Sequence, residues 1–284
     1  MIKNITFGSD PEYFLKNKNE NIILSAIPFI KGDKHSPQSL GNGFYILKDN
    51  ILVEGNVPPT SDPVKFMNNL IELKTRINKY FSYINSTLTV HHDDCLDIAP
   101  HFLTHPEALM FGCSPYINAW DDNEHRANDL SSENFRTAGF HIHIGYELTS
   151  DNPFTKEIFN KIIAKAFDIF VIIPSLEIKA DRRRFENYGG LGQYRNTSYG
   201  VECRSLGGFF VDEQYLPWVI EQVCRMLSYL KDYGNASSVL AIDKPVVKFI
   251  SEDTVTFEAN IYEDLQLSYR EQLFNDKYKI YATV

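Results

Sequence analysis

Sulfur is scarce in this sequence and nowhere paired by spacing. The four cysteines, Cys95, Cys113, Cys203 and Cys224, stand far apart in 284 residues and form no CxxC. That excludes a zinc-ribbon pattern and argues against a disulfide framework. Long apolar runs are missing too. IFVIIPSLEI is the most apolar stretch and reads as core, and MIKNITFGSDPEYF has no apolar h-region. Positive charge is in deficit, with 28 Lys and Arg against 37 Asp and Glu, a net −9. An acidic chain suits neither nucleic acid nor an anionic membrane. The glycines fall into neither GxxxxGK[ST] nor GxGxxG. These absences predict a reduced, cytosolic protein without a membrane span or a Walker-type nucleotide loop.

What is present is a repeated spacing. Polar, chemically capable residues stand two apart in four strand-like stretches: Asp10 and Glu12, Glu54 and Asn56, His141 and His143, Glu202 and Arg204. Positions i and i+2 of a strand share one face. If the four strands are neighbours, one sheet face gathers four carboxylates, two imidazoles, an amide and a guanidinium. Crowded carboxylates repel and need a cation. Oxygen donors with one or two imidazoles suit Mg²⁺ or Mn²⁺ better than a thiolate-preferring ion. Relief of this repulsion would make the metal-free protein more stable on loss of Glu202. Each pair alone has a plain reading, such as an exposed HxH or a surface ion pair. His91-His92-Asp93-Asp94-Cys95 reads as a polar turn.

Anion-binding groups follow. Arg183, in the run Arg182-Arg183-Arg184, lies within 23 residues of Arg195 and Arg204, with Gly189, Gly190 and Gly192 between. Guanidinium forks bind phosphate, and glycines let backbone approach it. Lys34, in Gly32-Asp33-Lys34, has two readings: a lysine presented to a carboxylate or phosphate, or a plain exposed turn lysine.

The coarse reading is α+β. Strands and turns fill the first 60 residues, with a hairpin signal at Asp49-Asn50. A helix capped by Ser61 or Asp62 carries Met67, Leu70, Ile71, Ile77, Tyr80 and Phe81 inward. Residues 86–135 read as irregular. A second helix is predicted from Pro153 to Ile173, ending before Pro174. A charged glycine-rich loop, RRRFENYGGLGQYRNTSYG, leads into VECRSL. A third helix runs from Glu213 to Tyr233 with Gly234 as its left-handed cap. A short helix is expected after Pro245 and a last one from Ile261 to Phe274. No repeat or linker divides residues 1–284, so one domain with a single sheet is predicted.

The pieces FGSDPEYFL, GDK, DNILVEGNVPP, FGCSPYINAW, RTAGFHIHIG, YGGLGQYR and GVECRSL, in this order, resemble the phage-type COOH–NH2 ligases. These are the type 2 amidoligases, in the superfamily of glutamine synthetase and γ-glutamylcysteine synthetase. The resemblance covers about 7–210 and leaves 211–284 as an unassigned helical part. It implies a curved, mainly antiparallel sheet with helices on its convex face, and ATP with Mg²⁺ or Mn²⁺. By resemblance, Asp10, His141 and Glu202 hold one metal, and Glu12 and Glu54 hold another. His143, Arg195 and Lys34 would meet nucleotide or substrate. Arg204, Arg195 and Arg183 would neutralise the transferring phosphate, and Glu54 is also a candidate to take the amine's proton. The implied reaction joins a small-molecule or peptide carboxylate to an amine through an acyl phosphate. A host-cytoplasmic phage protein is implied, with no oligomeric state. A metal-dependent hydrolase and an inactive nucleotide-binding relative remain as alternatives.

Overall fold

The protein is represented by a computed structural model, which describes residues 2–109, 115–126, 128 and 130–258. In chain order the elements are β1 (Ile2–Ser9), β2 (Glu12–Asn17), β3 (Ile22–Leu24), β4 (Gln38–Gly41), β5 (Phe44–Asp49), β6 (Leu52–Asn56) and α1 (Pro63–Ile84). Then come β7 (Leu88–His91), β8 (Cys95–Asp97), β9 (Tyr116–Asn118), β10 (Glu124–His125), β11 (Phe135–Thr137), β12 (Ile142–Leu148) and α2 (Lys156–Phe167). The chain continues through α3 (Ile173–Ile178), α4 (Arg182–Asn187), β13 (Gln193–Asn196), β14 (Gly200–Cys203), α5 (Leu216–Tyr229), α6 (Tyr233–Ala241), β15 (Val246–Phe249) and β16 (Val255–Glu258).

The architecture is mixed α+β, with antiparallel strands curled into a half-barrel. Where one sheet was expected, the strands divide into two main ones. The first runs β1-β12-β14-β13-β9-β10; the second runs β3-β2-β6-β5-β4, with β7 also paired to β2. The division falls at Asp10-Pro11, where β1 of one sheet hands over to β2 of the other. Proline has no N–H for a ladder, so a strand break there follows from its chemistry. The seam is stitched by Glu12 N–H to Gly139 O at 2.8 Å and Gly55 N–H to Pro11 O at 3.0 Å.

Strand alternation sorts the two faces. In the first sheet Ile142, Ile144, Val201 and Cys203 are buried in the core on which α2 packs. In the second, Tyr13, Val53 and Ile46 turn to α1, and Gly55 lets that helix approach. A Cβ on Gly55 would lie 2.8 Å from Leu73 Cδ2 and 3.1 Å from Ile77 Cδ1. That close approach turns Glu54 and Asn56, on either side of Gly55, away from the helix.

The predicted α1 is observed, capped by the Asp62 carboxylate, which accepts from Val64 N (2.8 Å) and Lys65 N (3.2 Å). The Asp49-Asn50 hairpin is observed too, with Asp49 opposite Leu52 and Asn50 at φ 56°. Later elements depart from expectation. The second helix does not stop before Pro174. It passes through one π-helical turn, Asp168–Ile172, into α3, and this change of winding just before Pro174 accommodates a residue that has no N–H to donate. The loop after Arg182 contains α4, capped by Asp181, and the strand β13. Gly234 is no left-handed cap. The third helix ends at Tyr229 and Asp232 caps α6, which takes Gly234 into its first turn. After Pro245 the chain forms the β15–β16 hairpin instead of a helix. The expected helix from Ile261 to Phe274 and the segment Phe111–Ser114 lie outside the described residues.

Candidate active site

Register brings the first group together. Arg195, Glu202 and His143 stand directly opposite one another across β13, β14 and β12. Directly opposed residues share a face, and that face also takes Arg204 and His141 by alternation. Asp10, at the end of β1, reaches this face. Its Oδ1 lies 3.3 Å from His141 Nδ1 and 3.0 Å from His143 Nε2, and Tyr199 OH lies 2.9 Å from His143 Nδ1. Burial favours the neutral form of Asp10, but the His143 and His141 imidazoles outweigh it and hold the carboxyl well below its usual range. His143 answers in the opposite direction: burial opposes its charge, yet Asp10 raises its pKa. One ligand atom each from Asp10, His141 and Glu202 lies within 4.8 Å of the others.

The second group grows from the other sheet. Glu12 on β2 faces Glu54 on β6. Asp49, at the end of β5, completes a set whose ligand atoms also lie within 4.8 Å of one another. Glu12 and Glu54 are buried. Glu12 Oε2 accepts from Gly139 N at 2.6 Å, whereas Glu54 has no hydrogen bond or ion pair among the described residues. Burial raises the Glu12 pKa, and burial with Asp10 and Asp49 lifts Glu54 well above the usual carboxylate value. Lys34 Nζ pairs with Asp49 Oδ2 at 2.8 Å. Burial works against its charge, but Asp49 and Glu54 raise its pKa.

The arginines divide. Arg204 donates to Glu202 Oε1 and to Tyr188 OH, and Arg195 Nη1 donates to Glu202 Oε2 at 3.1 Å. Glu202 is therefore a paired carboxylate as well as a member of the acid cluster, and the pairing argues against the expectation that its loss would stabilise the metal-free protein. Arg183 is not brought to the site. It pairs with Asp97 at 2.7 Å beside the Phe135 ring, and side chains of adjacent residues in the short helix α4 point apart. Arg184 points inward instead. It is buried, donates to Leu206 O at 2.8 Å, lies by the Tyr188 ring and acts on Glu12 electrostatically. Buried nitrogens of three guanidiniums, Arg184 Nη1, Arg195 Nε and Arg204 Nε, have no hydrogen-bond partner among the described residues.

Three participants escaped the sequence reading: Asp49, Arg184 and Tyr188. Tyr188 OH is 3.1 Å from His141 Nε2 and also accepts from Arg204, so one phenol fixes both groups. Asp49 was legible in principle. A two-residue hairpin pairs Asp49 with Leu52, two residues from Glu54, which puts Asp49 on the face of Glu54. Nothing in the pattern marked Tyr188. His91 and His92 join neither cluster; they face Asp93 at 4.0 Å and Asp212 at 3.9 Å.

No helix among the described residues is long and apolar enough to cross a membrane. The chain matches no protein-family model and no curated protein.

Proposed function

We propose that this chain is an ATP-dependent carboxylate–amine ligase on a glutamine synthetase-like catalytic fold. The observation that carries the reading is the arrangement of two acid clusters side by side, flanked by three guanidiniums with unused buried N–H groups. The donor chemistry fits hard divalent cations: five carboxylates and one imidazole, without thiolate. Asp10, His141 and Glu202 would hold one Mg²⁺ or Mn²⁺, and Glu12 with Glu54 would hold part of a second. A bound cation supplies positive charge for the phosphates of ATP.

The chain's own residues do the rest. Arg204 and Arg195, with Arg184 in the place first assigned to Arg183, face anionic oxygens with their free N–H groups and balance charge on the transferring phosphoryl group. A substrate carboxylate oxygen attacks the γ-phosphorus and ADP leaves. The amine then attacks the acyl carbon, the bond to phosphate breaks, and the nitrogen's proton passes to the departing phosphate as the amide forms. Glu54 carried two expectations, ligand and base; its membership of the Glu12 cluster favours ligand. His143, held between Asp10 and Tyr199, keeps Asp10 ionised in this scheme. A metal-dependent hydrolase would draw on a third histidine or a bridging carboxylate; His91 and His92 join neither cluster, and the arginines beside the carboxylates favour the ligase.

Incubation with ATP, Mg²⁺ and pools of amino acids, peptides and polyamines tests the reading. Phosphate release should require both a carboxylate and an amine, and ¹⁸O in the carboxylate should appear in the released phosphate. Cleavage of amides or phosphoesters without ATP consumption would replace the ligase by a hydrolase.

A further inference from the structure

The acid cluster on the second sheet has a charged companion that phosphoryl transfer does not explain. Lys34 is held over it by its loop. Gly32 lies so close to β4 and β5 that a Cβ there would stand 2.6 Å from Gln38 N, and Lys48 N–H donates to Gly32 O at 3.1 Å. From this turn Lys34 reaches Asp49, while its side chain keeps 44% of its surface exposed. Beneath it Glu54 is 8% exposed and makes no side-chain hydrogen bond or ion-pair contact among the described residues. A buried carboxylate without a hydrogen bond stays ionised only where a cation serves it and otherwise takes up a proton. Lys34 acts on Glu54 only at a distance, because its contact is spent on Asp49.

We propose that Asp49 is the third protein ligand of a divalent-cation site formed with Glu12 and Glu54, and that Lys34 is the built-in competitor for that site. The ammonium and the cation both need Asp49, so each weakens the other's hold. Binding of the cation turns Lys34 out toward solvent, where it meets an anionic group of the substrate, a carboxylate or a phosphate. Cation binding and anion recruitment are thereby coupled through one carboxylate. The inference deepens the ligase reading and rests on it for the substrate, but the competition itself is a property of the ATP-free protein.

The test is a Mn²⁺ titration of the full chain without ATP, followed by the electron paramagnetic resonance signal of free Mn²⁺. Two binding classes are expected, and His141→Ala should remove one. Lys34→Met should tighten the other class about tenfold, the effect of removing one nearby unit charge from a partly screened site. Asp49→Asn should weaken that same class by about tenfold or more. Lys34→Arg, which keeps the charge, should titrate like the wild type, and circular dichroism melting shows that each variant is folded. Lys34→Gln substitutes for a Lys34→Met protein that does not fold, and Asp49→Ser for an Asp49→Asn one. A single binding class in the wild type overturns the proposal. So do unchanged Mn²⁺ binding on loss of the Lys34 charge and unchanged binding on loss of Asp49. Phosphate release is read separately: inactive protein with the expected Mn²⁺ shifts removes the ligase and keeps the competition, and the reverse result does the opposite.

Discussion

At the scale of single residues the arginines and Glu202 carry the sharpest expectations. Arg183 and Arg184 are neighbours in sequence, yet one meets Asp97 near the surface and the other is buried against Tyr188 and Leu206. Arg183→Ala should leave ATP-dependent phosphate release nearly unchanged. Arg184→Lys should lower it by roughly 10²-fold, since an ammonium cannot reproduce the fork. A loss in Arg183→Ala with none in Arg184→Lys would return the role to Arg183. Glu202→Gln should cost stability as well as metal binding, because Arg204 and Arg195 lose their shared counter-charge. A loss on the order of 3 kcal/mol is expected from breaking a buried pair on one side. Urea unfolding of the metal-free protein checks the sign. An increase in stability would mean that carboxylate repulsion governs the site after all.

At the scale of elements two contacts are diagnostic. Gly55 sits under Leu73 of α1 with no room for a methyl group. Gly55→Ala should therefore destabilise by about 1–3 kcal/mol through overpacking. Leu73→Ala in the same chain should recover part of that loss in a double-mutant cycle measured by urea unfolding. The second contact is Asp168, in the π-helical turn beneath the first sheet. It is buried, accepts from Trp120 Nε1 at 2.6 Å, and burial pushes its pKa up to about 8. A carboxyl raised in the folded state favours the protonated native form. Its contribution is complete below the unfolded carboxylate pKa of about 3.9 and is lost as pH rises through about 8. Asp168→Asn can still accept from Trp120 but has no charge to desolvate. The melting temperature of this variant relative to wild type should be higher at pH 8 than at pH 5. A difference independent of pH would show that Asp168 does not titrate between those values.

At the scale of the molecule the site lies where two sheets meet, so it couples their packing. Asp10, His141 and Glu202 come from one sheet, and Glu12, Asp49 and Glu54 from the other. A cation that binds only the folded arrangement stabilises it by mass action, about 2.7 kcal/mol at one hundred times its dissociation constant. Mg²⁺ or Mn²⁺ should thus raise the melting temperature in a concentration-dependent way. Glu202→Gln and Glu54→Gln should each remove part of that rise. A melting temperature indifferent to both cations in the wild type would separate the acid clusters from metal binding.

Sequence alone determined the local terms. The i, i+2 spacing assigned faces, Asp62 and Pro63 fixed the start of α1, and the hairpin at Asn50 set a register; each rests on backbone geometry within a few residues. Resemblance grouped Asp10 with His141 and Glu202, and Glu12 with Glu54, and the structure brings both sets together. Tertiary structure decided what depends on long-range packing. Pro174 and Gly234 read as helix ends because their usual effect is local, but a π-helical turn and a new cap absorbed them. Which arginine of three faces inward depends on the rotation of α4 against Tyr188 and Leu206, and that Glu202 is paired depends on three strands in register. Distance along the chain carries no information about either, because both are settled only when separate segments compete for the same space and charge.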